Sequence, residues 1–421
     1  MDWFNSATFF WVLIIGFLTY KNRKIAMTVL VAAIPLYLLR LQILSIPTTW
    51  LELGVYAAVL VELVRLYRLK KVLSWFSSLK KYTIPLSILF VGLVIGVLVS
   101  ENQISSLGIL KGWFIDPILL LLLLVNVFNG NAKEAIRYVF GGLFVSSVIL
   151  SMIALYQVIS GNFITIDNRA SSVFVSANYL SLYLAPVFVL GSGLLLTFYK
   201  KWQKIIVILG LLLIISAIYF TFSYASWLAI AVGLGMLLLL IKKHWYVIVG
   251  VGAAALLAIS QMSSVKFLQM FDFSGRSSSH VRLEIWQTAG LMVKENWLTG
   301  IGLGQFQDRY VSFAERIFHP PLEFLVLHSH NTFIHFWVTA GLFGFVGYVW
   351  FIAKWLKDTY SNAKNNLLGL SILSTMVTML VHGLFDNAYW KNDLSALFWV
   401  VVALGMLISN NGTTKNIQNR N

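Results

Sequence analysis

GRSSSHVRLEIWQTAGLMVKENWLTGIGLGQF (residues 275–306) and HSHNTFIHFWVTAGLFG (residues 328–344) bracket the one long polar interval of an otherwise apolar chain. Arg276, Arg282, His280, His319, His328, His330 and His335 gather there, with five acids from Glu284 to Glu323 and Asp272 just upstream. So many polar groups cannot lie in hydrocarbon, so the interval is a loop between membrane-crossing runs. In such a chain, polar chemistry concentrated in one loop is where function is sought.

Working outward, the rest of the chain agrees. Its 421 residues are 59% hydrophobic and only 11% charged, against roughly 25% charged in soluble domains. That composition predicts an all-α, polytopic membrane protein built as a single transmembrane domain over residues 1–421. The chain has no cysteine, which excludes disulfides, thiolate nucleophiles and zinc–thiolate sites. The net charge of +15 reflects loop placement and gives no support to nucleic-acid binding. Met1 to Phe10 lacks a basic start, and no small-residue cleavage site follows, so the first helix reads as a retained anchor.

Runs long enough to cross a bilayer are expected near 7–20, 25–43, 49–66, 83–100, 107–128, 135–159, 173–198, 204–222, 224–241, 244–261, 331–353, 366–385 and 392–409. That makes thirteen helices, or twelve if the first is too short. One set of connections carries 21 lysines and arginines against the two acids Glu134 and Asp358; the alternate set carries eight against nine acids. The basic set is cytoplasmic by the positive-inside rule. The loop at 262–330 therefore faces outward, and the 410–421 tail is a cytoplasmic segment expected to be disordered. Arg40, Glu52, Glu62, Lys111 and Asp116 fall within or near the runs, mostly at their ends, where snorkelling accounts for them. Lys111 and Asp116 are five residues apart, which on an α-helix separates them by about 140°.

Inside the loop, Val281, Ile285, Trp286, Ala289, Met292 and Val293 recur at helical spacing, with Glu284, Gln287 and Lys294 elsewhere. Ser277–Ser279 offer capping hydroxyls. Arg282 borders the apolar face one turn before Trp286, from where a guanidinium matches phosphate oxygens; ordinary headgroup contact is the plainer reading. Gly300, Gly302 and Gly304 lack the preceding strand of a nucleotide cradle and read as a turn closing that helix. His330 and Asn331 open the next membrane helix. A histidine there is placed to take a proton from a hydroxyl, or simply to cap the helix. His328 and His330, with Asp386 and His382, also form a weak metal pattern, and the loop acids a weak glycosidase pattern. A second outward segment, Asp167 to Tyr179, carries Arg169 and Asn178; the asparagine is costly within a helix unless it bonds another helix.

An active site facing outward has no cytoplasmic nucleotide to draw on, so its substrate must bring activation energy through the membrane, as a polyprenyl-diphosphate-linked sugar does. Arg282-x3-Trp286, Glu295 to Gly304 with Phe306, His330-Asn331 and Ala340 to Gly344 together resemble the O-antigen ligase and O-antigen polymerase superfamily. Arg169, Ser172 to Phe174 and Asn178 resemble its earlier motif. The resemblance implies a bacterial, metal-independent glycosyltransferase of the GT-C kind in the cytoplasmic membrane, with no cofactor. It implies an undecaprenyl-diphosphate-linked glycan as donor and a lipid A–core, other glycan or protein hydroxyl as acceptor. On matching positions, Arg169 and Arg282 would hold the leaving diphosphate and His330 would assist the hydroxyl. Asn178, Trp286 and Asn331 would line the substrate. Tyr224 stands where many relatives carry arginine, and Arg276 is a candidate to replace that charge. A ligase, a surface-polysaccharide polymerase, a protein O-oligosaccharyltransferase and, in another class, a glycolipid flippase remain alternatives.

Overall fold

Many of the helices start where a short polar residue precedes an apolar run. The side chains of Thr49, Asn102, Asn131, Ser176, Ser277, Asn331 and Asn366 each accept a backbone N–H of the first turn that follows, which satisfies donors a helix cannot bond internally. The computed structural model describes residues 2–43, 46–197, 200–242, 277–364 and 366–418. In chain order the helices are α1 (Asp2–Lys21), α2 (Arg23–Ala32), α3 (Trp50–Arg68), α4 (Thr83–Leu98), α5 (Gln103–Leu110), α6 (Asp116–Val127), α7 (Ala132–Ser160) and α8 (Ala177–Leu194). They continue as α9 (Lys201–Phe220), α10 (Tyr224–Leu240), α11 (Ser278–Glu295), α12 (Phe306–Ala314), α13 (Thr332–Ala363), α14 (Leu367–His382) and α15 (Asn392–Gln418).

Among the described residues, seven helical segments are long and apolar enough to span a bilayer, and Ser6–Lys21, Tyr224–Leu240 and Leu367–His382 are shorter apolar helices. This is an all-α, multi-pass membrane architecture. The expected run at 244–261 lies outside the described residues. The expected span at 25–43 is not one helix. After ten residues α2 gives way to a 3-10 turn, Ile34–Leu38, with Pro35 in its first turn. Strands β1 (Arg40–Ile43) and β2 (Ile46–Thr49) then pair antiparallel. Proline removes an intrahelical donor and cannot prolong the helix through its position. The last helix also runs past residue 410, into the tail expected to be disordered; extending an established helix costs little.

A second correction concerns Lys111 and Asp116. The segment Lys111–Ile115 is a π-turn, in which the Asp116 N–H bonds the Lys111 carbonyl. An i→i+5 turn brings residues five apart onto one face. Lys111 Nζ therefore lies 3.9 Å from Asp116 and bonds Glu52 directly. Glu52 and Asp116 are both buried, Tyr56 donates to Asp116 at 2.7 Å, and Asn392 donates to Glu52 at 3.2 Å. These charges are an internal cluster, not snorkelling ends.

The central post is α15, 94% buried over Asn392–Ser409. Around it, α4 and α13 pack backbone to backbone. A Cβ on Gly92 would meet the Gly344 nitrogen at 2.1 Å, and one on Gly347 the Leu89 nitrogen at 2.3 Å; small residues permit such approach. Within α13, Gly341 breaks the helix at φ 64°, ψ −166°. The loop turn Trp297–Gly304 fills the break: Leu342 N–H bonds the Trp297 carbonyl at 3.0 Å, and Ile301 N–H bonds Val338 at 2.7 Å. Gly300, Gly302 and Gly304 all have positive φ, and a Cβ on Gly300 would meet Gly341 nitrogen at 2.7 Å. The glycines thus close the loop onto the membrane helix, as a turn rather than a phosphate cradle.

Gly341→Ala should therefore cost about 2–4 kcal/mol, from a glycine-only backbone and from a Cβ only 2.2 Å from the Leu298 carbonyl. Gly290→Ala on α11, where nothing lies within 4 Å, should be neutral or stabilising by up to about 1 kcal/mol. Thermal midpoints of the two variants in detergent check the contrast, and equal midpoints would contradict it.

Candidate functional site

The short loop before α8 is held from below. Gln157 of α7, itself buried, accepts the N–H groups of Ser171 (3.1 Å) and Ser172 (2.9 Å) and donates to the Ser172 carbonyl at 2.8 Å. Thr165 brackets Arg169 from the other side, bonding both its N–H and its carbonyl. The Arg169 guanidinium then points inward. Its Nε donates to the Thr221 carbonyl at 2.6 Å, and its terminal nitrogens reach Asp167 at 3.3 Å and Asn178 Oδ1 at 2.8 Å. Burial lowers its pKa, which Asp167 partly offsets; Arg282 is near enough to lower it further.

Asn178 continues the chain of bonds. Its Nδ2 donates to Asp386 Oδ2 at 2.9 Å, and Asp386 Oδ1 lies 3.1 Å from His330 Nδ1. The Asn387 N–H also donates to Asp386 Oδ1, at 2.8 Å. Burial pushes this carboxyl's pKa up, but the charge and hydrogen bond of His330, with His328 and Arg282, outweigh it and hold Asp386 well below the ordinary carboxylate range. An ionised carboxylate only accepts, so Nδ1 of His330 donates to it, and in the neutral ring this arrangement places the lone pair on Nε2. The His330 side chain is 29% exposed, open to a substrate, whereas that of Asp386 is 2%.

Arg282, on α11, donates from Nε to the Phe385 carbonyl at 3.0 Å and from a terminal nitrogen to Ser278 Oγ at 2.6 Å. It is tethered to the residue next to Asp386. Arg169, Arg282 and His330, far apart in sequence, thus meet around one carboxylate. Four of the six described non-glycine residues with positive φ adjoin this site: Asn168, Ser172, Phe222 and His330. Backbone strain of this kind persists where surrounding bonds over-determine it, and it clusters at functional sites.

The other expected residues fare differently. Asn331 is the cap of α13, accepting Phe333 and Ile334 N–H, and its Nδ2 donates to the Leu384 carbonyl at 3.0 Å. So Asn331, not His330, caps the helix. Tyr224 opens α10, three residues after the Thr221 carbonyl that holds Arg169. Trp286 follows Arg282 by one turn, and its Nε1 is shielded with no bond among the described residues. Arg276 lies outside the described residues. Glu284, expected on the polar side of α11, is buried: it accepts Leu322 N–H at 2.9 Å and Tyr310 hydroxyl at 3.4 Å. The apolar face of α11 packs on Phe306, Tyr310 and Val338, and Glu284 satisfies polar groups trapped beneath it. Glu295 is hydrogen-bonded by Arg316, which holds its carboxyl below the usual range, opposite to what a general acid requires.

Ligand atoms of His328, His330 and Asp386 lie within 4.8 Å of one another, a set that could hold a metal ion. His382 is not among them. His328 Nε2 faces the Tyr179 hydroxyl at 3.3 Å, and burial pushes its imidazole down to about 3, with His330 adding to the effect. It is neutral beside His330, their rings 4.6 Å apart. Lys391 stands behind them, its ammonium 4.0 Å from the Tyr179 ring and 4.5 Å from Phe174. Sequence reasoning weighed Asp386 only as a metal ligand. The available signal was an acid at the outer end of an apolar run.

Residues 209–349 match the O-antigen ligase family. That interval spans the Arg169 anchor at Thr221, the loop helix α11, His330 and the Gly341 break. The O-antigen ligase of Salmonella typhimurium (strain LT2) is 23% identical over 330 residues, 72% of this chain and 77% of the relative. The family match over residues 209–349 and the relative covering 72% of the chain both show a likeness to O-antigen ligases.

Proposed function

We propose that the protein transfers a glycan from undecaprenyl diphosphate to a hydroxyl acceptor, lipid A–core or another surface glycan, on the outer face of the bacterial cytoplasmic membrane. The observation that carries this reading is the bond chain from Arg169 through Asn178 and Asp386 to His330, with Arg282 anchored one residue away. It combines a base with fixed positive charge, the two needs of glycosyl transfer from a diphosphate.

The acceptor oxygen attacks the anomeric carbon as the carbon–oxygen bond to the diphosphate breaks, with inversion. His330 Nε2 takes the hydroxyl proton, and Asp386 stabilises the resulting imidazolium. The two guanidiniums receive the charge that builds on the departing diphosphate, and Asn178 sets the Arg169 fork against the same carboxylate that orients the histidine. No metal is needed for either task. Asp386 Oδ1 accepts from His330 Nδ1 and the Asn387 N–H, and Oδ2 from Asn178, so the carboxylate is engaged in orienting the histidine.

Purified protein given a polyprenyl-diphosphate oligosaccharide and candidate acceptors in EDTA should still form product. Loss of product in EDTA, restored by a divalent ion, would replace this mechanism with a metal-assisted one. Glycan recovered on protein or on a lengthened glycan would move the acceptor assignment to an oligosaccharyltransferase or a polymerase.

A further inference from the structure

A cavity among the described residues lies far from His330. It sits between the 3-10 segment Val72–Tyr82 and the end of α6, and holds about 440 Å³. That is within the roughly 300–1,000 Å³ of small-molecule sites. The helix α7 begins beside it and ends at the Arg169 loop, so 29 residues at 1.5 Å each put about 40 Å between the two. This is the basic end of the bundle, assigned to the cytoplasm by the loop charges.

The lining is built for an anion. Lys80, Lys81, Ser77, Ser78, Asn126 and Asn129 face it, and no acid lines it. Lys81 shares its charge with Asp358 at 3.3 Å, while Lys80 has no carboxylate partner among the described residues. The Ser78 hydroxyl is shielded from solvent and has no hydrogen bond among the described residues, a costly state for a polar atom unless something arrives to bond it. The walls are fixed before any ligand binds. Trp75 Nε1 donates to the Leu122 carbonyl at 3.2 Å, pinning the segment to α6, and Asn126 donates to Glu62 at 2.7 Å, itself held by Arg23 at 3.1 Å. On the same segment Leu73 is 90% exposed and Phe76 53%. Apolar residues this bare beside paired lysines mark a segment lying in a membrane interface.

We propose that this cavity binds the phosphate of an anionic glycerophospholipid from the cytoplasmic leaflet, with Lys80 as its main cation and the acyl chains passing Leu73 and Phe76. The shared chemistry with a free phosphate ion is the charged oxygens; the apolar rim favours the lipid. This site is independent of the transfer reaction and of its residues.

The test is native mass spectrometry on delipidated full-length protein in neutral detergent, titrated with phosphatidylglycerol, phosphatidylcholine or inorganic phosphate. Phosphatidylglycerol should be retained at least about fivefold over phosphatidylcholine, and the exposed change Lys80→Gln should erase about fivefold of its affinity. Asn129→Trp, at an exposed turn position, should fill the cavity and reduce retention to the phosphatidylcholine level. Equal retention of both lipids, or unchanged retention in Lys80→Gln, would overturn the proposal. So would inorganic phosphate stabilising the protein as strongly as the lipid does. If Asn129→Trp fails to elute as monodisperse protein, Lys80→Gln decides alone.

Discussion

Replacing His330 should reduce glycan transfer by about 10²–10⁴-fold, the range a positioned general base supplies. His330→Asn is the cleaner variant. Asparagine tolerates the left-handed backbone that His330 adopts at φ 46°, so the fold is kept while the base is lost. Asp386→Asn should cost a similar factor, although Asp386 is a positioning residue. The amide has one acceptor oxygen, so its NH2 must face either His330 Nδ1 at 3.1 Å or the Asn178 Nδ2 donor at 2.9 Å, and the imidazolium loses its counter-charge. The double variant should be little worse than either single one, because the two act as a unit. A merely structural Asp386 would give additive losses and a raised KM with kcat intact. Initial rates with saturating donor separate these outcomes, and an active His330→Asn enzyme would end the base assignment.

Arg282→Ala should lower transfer by about 10²–10³-fold, the scale of one preorganised electrostatic contact to developing charge. Arg282→Lys should recover little of it. Lysine has no Nε–H to hold the Phe385 carbonyl, the bond that at 3.0 Å fixes the guanidinium beside Asp386, and an ammonium is a point charge without a fork. Donor analogues carrying monophosphate in place of diphosphate should lose less in the variant than in the native enzyme. Full activity in Arg282→Ala would remove this arginine from the leaving-group role.

The parts of the site legible in sequence were those whose chemistry is rare in a membrane chain. Arg169, Arg282 and His330 stood out because a bilayer protein places few charges outside its cytoplasmic loops. Asp386 was visible only as a possible metal ligand, because its bond to His330 depends on a partner 56 residues away that no periodicity reports. Glu284 was put on the wrong side of α11 for the same kind of reason: helical spacing separates apolar from polar, but a carboxylate needed by a buried N–H breaks that pattern. Lys111 and Asp116 were parted by assuming α-helical pitch, and one π-turn reunited them with Glu52.

Composition and the alternation of basic and neutral loops were enough to determine a multi-pass helical protein, because hydrocarbon admits no other way to satisfy the backbone of so apolar a chain. They also located the loop where the polar chemistry collects. What only the tertiary structure decided was convergence. Gly341 opens α13 so that the 297–304 turn can lock the loop onto it, Gln157 fixes the Arg169 loop, and Asp386 gathers three segments around one charge. Those are contacts between residues distant in the chain, set by packing and by the cost of leaving buried polar groups unpaired, and neither is written in local spacing.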